Sequence, residues 1–340
     1  MKQKQIIISI VAVLFVFPLM RTFAEQAAKS GSIEVITTFD YPGAGNSTFP
    51  QKINERGDVV GIYDDPSGAS RGFVRFDDGS FSDPIVDPND TADFTEGRGI
   101  NNSRTVNGDY LGSDGNIHSF FLTDGIFTEY AVPGTVQTNL VSINDAGDFT
   151  GAFDPNGSGT FQAFVSIDGT ITSWSVPGAR STFALDISNS KQLVVGYFID
   201  SSGIQRGYYR DADGALHFPI DPPGSTRTNL FGLNERNLVV GRYRDSSLVT
   251  HGLFFVPPNS FFTFDYPGST LTSLNGINAQ GVICGRYNDA SGIAHGFLAR
   301  VRGTPPTQAP GPQVKANVSP TLITPLDSSP SAREGAMPAR

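Results

Sequence analysis

Residues 264–297 read "FDYPGSTLTSLNGINAQGVICGRYNDASGIAHGF", and residues 39–73 read "FDYPGAGNSTFPQKINERGDVVGIYDDPSGASRGF". The chain writes nearly the same sentence at both ends. Its skeleton is an apolar residue and Asn, then Gly seven residues after the Asn, then an aromatic two later. That skeleton recurs as Asn54/Gly61/Tyr63, Asn101/Gly108/Tyr110, Asn144/Gly151/Phe153, Asn189/Gly196/Phe198, Asn234/Gly241/Tyr243 and Asn278/Gly285/Tyr287. The steps between successive Asn residues are 47, 43, 45, 45 and 44. A period of this length held over six copies is the mark of a repeat architecture.

Each copy divides into strand-like pieces. The first ends at the Asn, as in "LNGIN". A turn follows, Asn-x-x-Gly at Asn54–Gly57, Asn144–Gly147 and Asn278–Gly281. Both residue types tolerate positive φ, and Asn can cap its own backbone. The second strand is "DVVGIY" or "GVICGRY". An Asp-x-x-Gly turn comes next, as at Asp65–Gly68, Asp200–Gly203 and Asp289–Gly292. The third strand is of the "RGFVRF" or "HGFLAR" kind, and the fourth ("FFTFDY", "TEYAV", "TSWSV", "LHFPI") closes on Pro-Gly. Four antiparallel strands per repeat of this length predict a six-bladed β-propeller. Sheets packed face to face bury both surfaces, which accounts for nearly continuous Val and Ile in the second strands. A glycine held inside each second strand points to close approach by another backbone or ring.

The strand count predicts how the ring closes. "SIEVITTFDYPG" (32–43) is a fourth strand with no blade before it, and the chain's last repeat stops at a third strand, "HGFLARV". The N-terminal strand is expected to complete the last blade and remove an open edge.

The ends have different compositions. "MKQK" followed by the apolar run 6–20, with Thr22 and Ala24 at the −3 and −1 positions, reads as a signal peptide over 1–24. Residues 25–31 are a short linker and 32–301 the propeller. Residues 302–340 hold eight prolines and no aromatic, so they read as a flexible tail unable to build a core. The expected destination is outside the cytoplasm, extracellular or periplasmic, as a monomer with no membrane span once the leader is removed. The formal charge is −9 over 340 residues. The leader carries three cations and no acid, and the tail is +2, leaving about −14 on residues 25–301. No basic footprint for nucleic acid exists. One cysteine, Cys284, forbids an intrachain disulfide, so core burial must supply the stability.

The repeated "FDYPG…T…IN…G…VVG.Y.D..G..HGF" resembles the HAF-type extracellular repeat family of secreted bacterial proteins, over about residues 32–301. The His-Ala-Phe core of that repeat is altered in every copy: Arg71-Gly72-Phe73, His118-Ser119-Phe120, Gln162-Ala163-Phe164, Arg206-Gly207-Tyr208, His251-Gly252-Leu253 and His295-Gly296-Phe297. The resemblance implies an exported repeat protein without assigned chemistry, and it supplies no catalytic residue.

Candidate binding residues follow from the repeats. Arg71, His118, Arg206, His251 and His295 share one slot with Gln162. They could form a polar ring for a carboxylate or sugar, or they could satisfy and stack on neighbouring groups. A slot that accepts Arg is no metal site, and no cofactor is expected. The Asp-x-x-Gly stretches are shorter than a calcium loop and lack its closing Glu. Type I turns are expected there. Glu96 and Asp186 stand out from the repeat as possible paired acids. No nucleophile elbow, phosphate loop or Cys/His pair occurs, and Cys284 takes a core position. The expected role is a non-catalytic binding or scaffold module for carbohydrate or another extracellular protein, at the end carrying the Pro-Gly loops and Asp turns. A polysaccharide hydrolase or lyase, with acids converging at the channel mouth, and a passive surface or matrix protein are the alternatives.

Overall fold

The structure, a computed structural model, describes residues 32–45 and 47–302. The signal peptide, the linker and all but the first residue of the tail lie outside the described residues. Among the described residues every regular element is a β-strand. The strands fall into antiparallel groups in chain order. Repeats two to four each form a separate four-stranded sheet, starting at Thr95–Ile100, Gln137–Ile143 and Ser181–Ile187. Single-residue parallel bridges, Thr250 to Leu271 and Ser47 to Ala294, join repeats five, six and one edge to edge into one mixed sheet of eleven strands.

Each repeat's first strand lies against the next repeat's first strand. Ser47–Ile53 touches Thr95–Ile100, and the contacts run on through Gln137–Ile143, Ser181–Ile187, Arg227–Leu233 and Leu271–Ile277, which touches Ser47–Ile53 again. Sheets whose innermost strands meet in a closed cycle are arranged as a β-propeller. The N-terminal strand Ser32–Phe39 pairs antiparallel with Ala294–Arg302, from Ser32 opposite Arg302 to Phe39 opposite Gly296. It therefore occupies the fourth place in the last repeat's sheet. The first repeat departs from the expected four strands. Its fourth place is taken only by isolated bridges, Phe81 to Arg75 and Ile85 to Gly72.

The repeated residues each have a physical task. A side chain on Gly151 would overlap the Asn139 carbonyl oxygen and the Phe164 ring, and Gly61, Gly108, Gly196 and Gly285 are crowded in the same way. The aromatic that needs this space is fully buried: Phe73, Phe120, Phe164, Tyr208 and Phe297. Burying a ring of this size stabilises by about 2–3 kcal/mol. The Thr after four of the five Pro-Gly loops takes a backbone N–H of the preceding segment; at the remaining one, Pro222 has none to give. Thr138 accepts from Val132, Thr182 from Val176 and Thr272 from Tyr266, each at 2.9 Å.

The repeated Asn works in two directions. Its side-chain carbonyl caps its own turn: Asn54 Oδ1 accepts from the N–H groups of Arg56 and Asp58 at 3.0 and 2.9 Å. Its amide donates to the next repeat's backbone. Asn54 reaches Asn101 O at 3.1 Å, Asn101 reaches Asn144 O, Asn144 reaches Ser188 O, Asn234 reaches Asn278 O, and Asn278 returns to Asn54 O at 3.1 Å. Asp has no donor and Ser cannot reach, so Asn fits both duties. Repeat four corrects the spacing read from the sequence. Ser188, not Asn189, caps that turn, which is one residue longer and closes from Ser188 N to Leu193 O. Glycine is also absent from three of these turns, and in one of them Asn237 takes the positive φ, at 56. Arg104 and Lys191 hold positive φ of 62 and 60 in the other two. Arg104 and Lys191 each reach back to an acid of the preceding repeat, Arg104 to Asp58 at 2.9 Å and Lys191 to Asp148 at 3.1 Å.

The Pro-Gly loops and the Asp turns share one end, as their alternation requires. Val136 N–H donates to Asp154 O at 3.0 Å, and Thr226 N–H to Arg244 O at 2.6 Å. The Asn turns gather at the opposite end.

Candidate functional site

Four sets of polar groups could carry function. The first is the repeated cation slot. Each charged member sits beside the acid of its Asp turn, and all but Arg71 also meet a second acid at the close of the outer strand. His118 lies 3.0 Å from Asp114 and 3.1 Å from Glu129. Arg206 is 3.3 Å from Asp200 and 2.9 Å from Asp221. His251 contacts Asp265 at 2.9 Å and Asp245 at 3.5 Å. His295 contacts Asp40 at 3.0 Å and Asp289 at 3.6 Å. Arg71 reaches Asp93 at 2.7 Å and Asp65 at 3.9 Å. His118 and His251 also stack on the Tyr across the ladder, Tyr110 and Tyr243, with ring centres 5.3 and 5.1 Å apart. Burial opposes protonation of His118, but its hydrogen bonds to Asp114 and Glu129 hold its pKa above the usual imidazole range. His118, Arg206, His251 and His295 are thus separate clamps, each fastening the outer strand of its own sheet, while Arg71 ties to Asp93 just before the next repeat's first strand. Asp40, from the N-terminal strand, is clamped by His295 of the last repeat.

The second set is the Asp turns, which point their carboxylates at their own backbone. Asp289 Oδ1 accepts from Ser291 and Ile293 N–H at 2.8 and 2.9 Å, and Asp200 Oδ1 accepts from Ser202 and Ile204 N–H at 2.9 Å. The longer loop 154–159 does the same. Asp154 accepts backbone N–H groups from Asn156, Gly157, Ser158 and Gly159. These are carboxylates used for turn closure. Among the described residues no three His, Cys, Asp or Glu side chains are grouped to hold a metal.

The third set contains the two acids that stood out in the sequence. The structure places Glu96 in repeat two and Asp186 in repeat four, each in an ion pair. Glu96 forms a close ion pair with Arg98, buried beside it. Arg98 also faces Asp109 at 3.7 Å, and Asp109 accepts from Ser119 Oγ and Leu140 N–H. Burial pushes the Asp109 carboxyl up to about 6 despite Arg98. Asp186 pairs with Lys52 of repeat one at 3.3 Å. It also accepts from Ser142 Oγ and from Leu233 N–H, while Lys52 donates to Phe231 O. Burial drives the Lys52 pKa down, and Asp186 opposes the fall. The matching positions in other repeats include Gly232 and Gly276. A side chain at either would press on the neighbouring first strand, so the channel has room for few side chains. Sequence reasoning passed over Lys52, Arg98 and Asp109. For Lys52 the signal was a charge in a slot that holds Gly99, Gly232 and Gly276 in other repeats.

The fourth set rings the channel mouth at the Asn-turn end. Here Glu55, Asn102, Asp145, Asn189 and Glu235 occupy the place after each capping residue. Each accepts a backbone N–H from a neighbouring repeat: Asp145 from Asn102 at 2.8 Å, Asn189 from Asp145 at 2.8 Å, Glu235 from Asn189 at 2.6 Å and Glu55 from Ala279 at 2.9 Å. Burial raises the Glu55 pKa, and the charges of Asp145 and Glu235 add to the rise. Inside lies a cavity of about 50 Å³, with Asp186 and Ser142 in its walls. That is room for one or two water molecules and too little for a sugar ring. The cavity opens at the end opposite the Pro-Gly loops. Cys284 is buried, its thiol pushed up to about 12 by burial, and it belongs to the core.

No family model matches the chain, and no curated protein sequence matches it. Solved structures with a similar chain path include TolB from Acinetobacter baumannii, at 9% identity, covering 76% of this chain and 56% of that one, with a TM-score of 0.45. The Aleuria aurantia lectin matches at 10% identity, covering 81% of this chain and 99% of that one, TM-score 0.49. The β-propeller domain of the Trilobed protease from Pyrococcus furiosus matches at 9% identity, covering 74% and 81%, TM-score 0.46. This chain spans little more than half the length of the Acinetobacter TolB.

Proposed function

We propose that this chain is a secreted six-bladed β-propeller of the HAF-type repeat kind, its sixth blade completed by the N-terminal strand. In this reading it acts as a non-catalytic binding or scaffold module for carbohydrate or another extracellular protein. The count of six blades is supported by the closed cycle of six first strands. The functional reading is carried by the engagement of the candidate acids. Glu96 is tied to Arg98 and Asp186 to Lys52, Ser142 and Leu233. Glu55, Asp145 and Glu235 each hold backbone N–H groups. A general acid or base needs a carboxyl free to exchange a proton with substrate, and these are committed to the scaffold. The ligand end in this reading is the one with the Pro-Gly loops and Asp turns, where loops cluster on a rigid frame.

A glycan array probed with the full chain, with and without Ca²⁺, tests this. Binding unaffected by Ca²⁺, with no cleavage of the bound polymer, is expected. Depolymerisation lost in Glu96→Gln or Asp186→Asn would overturn it in favour of a hydrolase or lyase.

A further inference from the structure

The fifth repeat carries two unfavourable features in one place, at the end with the Pro-Gly loops. Arg227 and Arg244 are direct partners across the ladder between Arg227–Leu233 and Val239–Arg244. Directly opposed residues project from the same face, and like charges there repel. The matching pairs elsewhere are Ser47 with Asp64, Gln137 with Asp154, Ser181 with Ile199 and Leu271 with Asn288. None of these opposes two cations, and Ser47 Oγ donates to Asp64 at 3.2 Å.

The second feature is Leu248. Its φ is 68, and it occupies the turn position held by Gly68, Gly115, Gly203 and Gly292. A residue with a side chain is disfavoured in that conformation. Leu248 is nevertheless 62% exposed and Val249 is 42% exposed, so neither is retained for packing. Arg244 Nε donates to Leu248 O at 3.0 Å, which ties the cation pair to the apolar tip. Features that reduce stability and are not retained for packing mark functional surface.

We propose that Arg227 and Arg244 bind the carboxylate or sulfate groups of an acidic polysaccharide, with Leu248 and Val249 against the apolar C–H face of a sugar ring. This rests on the reading of the domain as an extracellular binding module. Two guanidinium groups on one face suit a planar or tetrahedral oxyanion. The patch is one strand end and one turn. A stable protein partner would bury roughly 800 Å² on each side, and two apolar side chains do not supply that. A linear polymer needs only the local contact. The acid excess of the rest of the domain confines a polyanion to this patch.

The test is equilibrium binding of the full chain to polygalacturonate and to chondroitin sulfate, with dextran as the neutral polymer. The two acidic polymers distinguish carboxylate from sulfate recognition. Binding to at least one of them, but not to dextran, is expected. Arg227→Ser or Arg244→Ser should weaken it at least tenfold, and Arg236→Ser, an exposed arginine on an Asn turn, should leave it unchanged. Thermal unfolding separates loss of site from loss of fold: Arg227→Ser should unfold at the same or a higher temperature than the parent. No binding to either acidic polymer, or equal binding by Arg227→Ser, overturns the proposal. Equal binding to all three polymers, unchanged in Arg227→Ser, would leave the domain a glycan binder and remove this pair as its site.

Discussion

Lys52 and Asp186 form a buried ion pair at 3.3 Å although they belong to repeats one and four, three steps apart around the cycle in either direction. The pair spans the channel rather than sealing one interface. Removing one partner leaves the other charged and buried. Lys52→Ala is therefore expected to destabilise by about 3–5 kcal/mol, and Lys52→Met with Asp186→Leu together by much less. Urea unfolding of the two variants checks this. Equal loss in both would show that the charges themselves are needed.

The relay of Asn side chains gives a second expectation. Asn278→Asp keeps the carbonyl oxygen that caps its own turn through Val282 N–H, but loses the donor to Asn54 O. The buried carbonyl left behind should cost about 1–3 kcal/mol. Amide hydrogen exchange should rise first in Ser47–Ile53 and Leu271–Ile277, where the sixth and first repeats meet. Uniform exchange across all repeats would contradict a local seam.

Two substitutions that exchange glycine and a side chain, one in a strand and one in a turn, should act in opposite directions. Gly151→Ala places a methyl group into the Asn139 carbonyl oxygen and the Phe164 ring, and should cost about 3 kcal/mol or more. Leu248→Gly relieves a positive φ and should stabilise by about 1 kcal/mol. Thermal unfolding of the pair decides, and a stabilising Gly151→Ala would mean that the sheet is looser than described.

The pH response should carry a signature of Asp109. Its folded pKa, about 6, lies above the ordinary carboxylate range because it is buried. The folded state therefore binds a proton that the unfolded state releases. That contribution is complete below about pH 4 and is lost as pH rises through about 6. Relative to Asp109→Asn, the parent should gain about 2–3 kcal/mol as pH falls from 7 to 4. A stability difference independent of pH would show that Asp109 is ionised throughout.

The residues differ in how far the sequence revealed their work. The spare strand at 32–43 and the missing one after Val301 were legible, because strand counting is local and the edges must pair. The six second-strand glycines were legible for the same reason. The relay from Asn54 to Asn101 was not, since the turn chemistry explains Asn alone and the receiving carbonyl belongs to another repeat. Asn189 misled because its seven-residue spacing to Gly196 is intact while the turn holds one more residue, leaving Ser188 as the cap. Glu96 and Asp186 were visible as exceptions, but their roles depend on Arg98 and Lys52. Lys52 comes close only when the cycle of first strands is complete.

The closing strand is the claim on which the rest depends, and a disulfide trap tests it most directly. Glu34 and Arg300 are direct partners across the ladder and both are exposed. With Glu34→Cys and Arg300→Cys in the full chain, mild oxidation should link the two in high yield, seen as one cross-linked peptide by mass spectrometry. Glu34→Cys with Arg236→Cys should not link. Failure of the 34–300 pair to cross-link, or cross-linking of 34 to 236 instead, would contradict closure of the last repeat by the chain's own beginning.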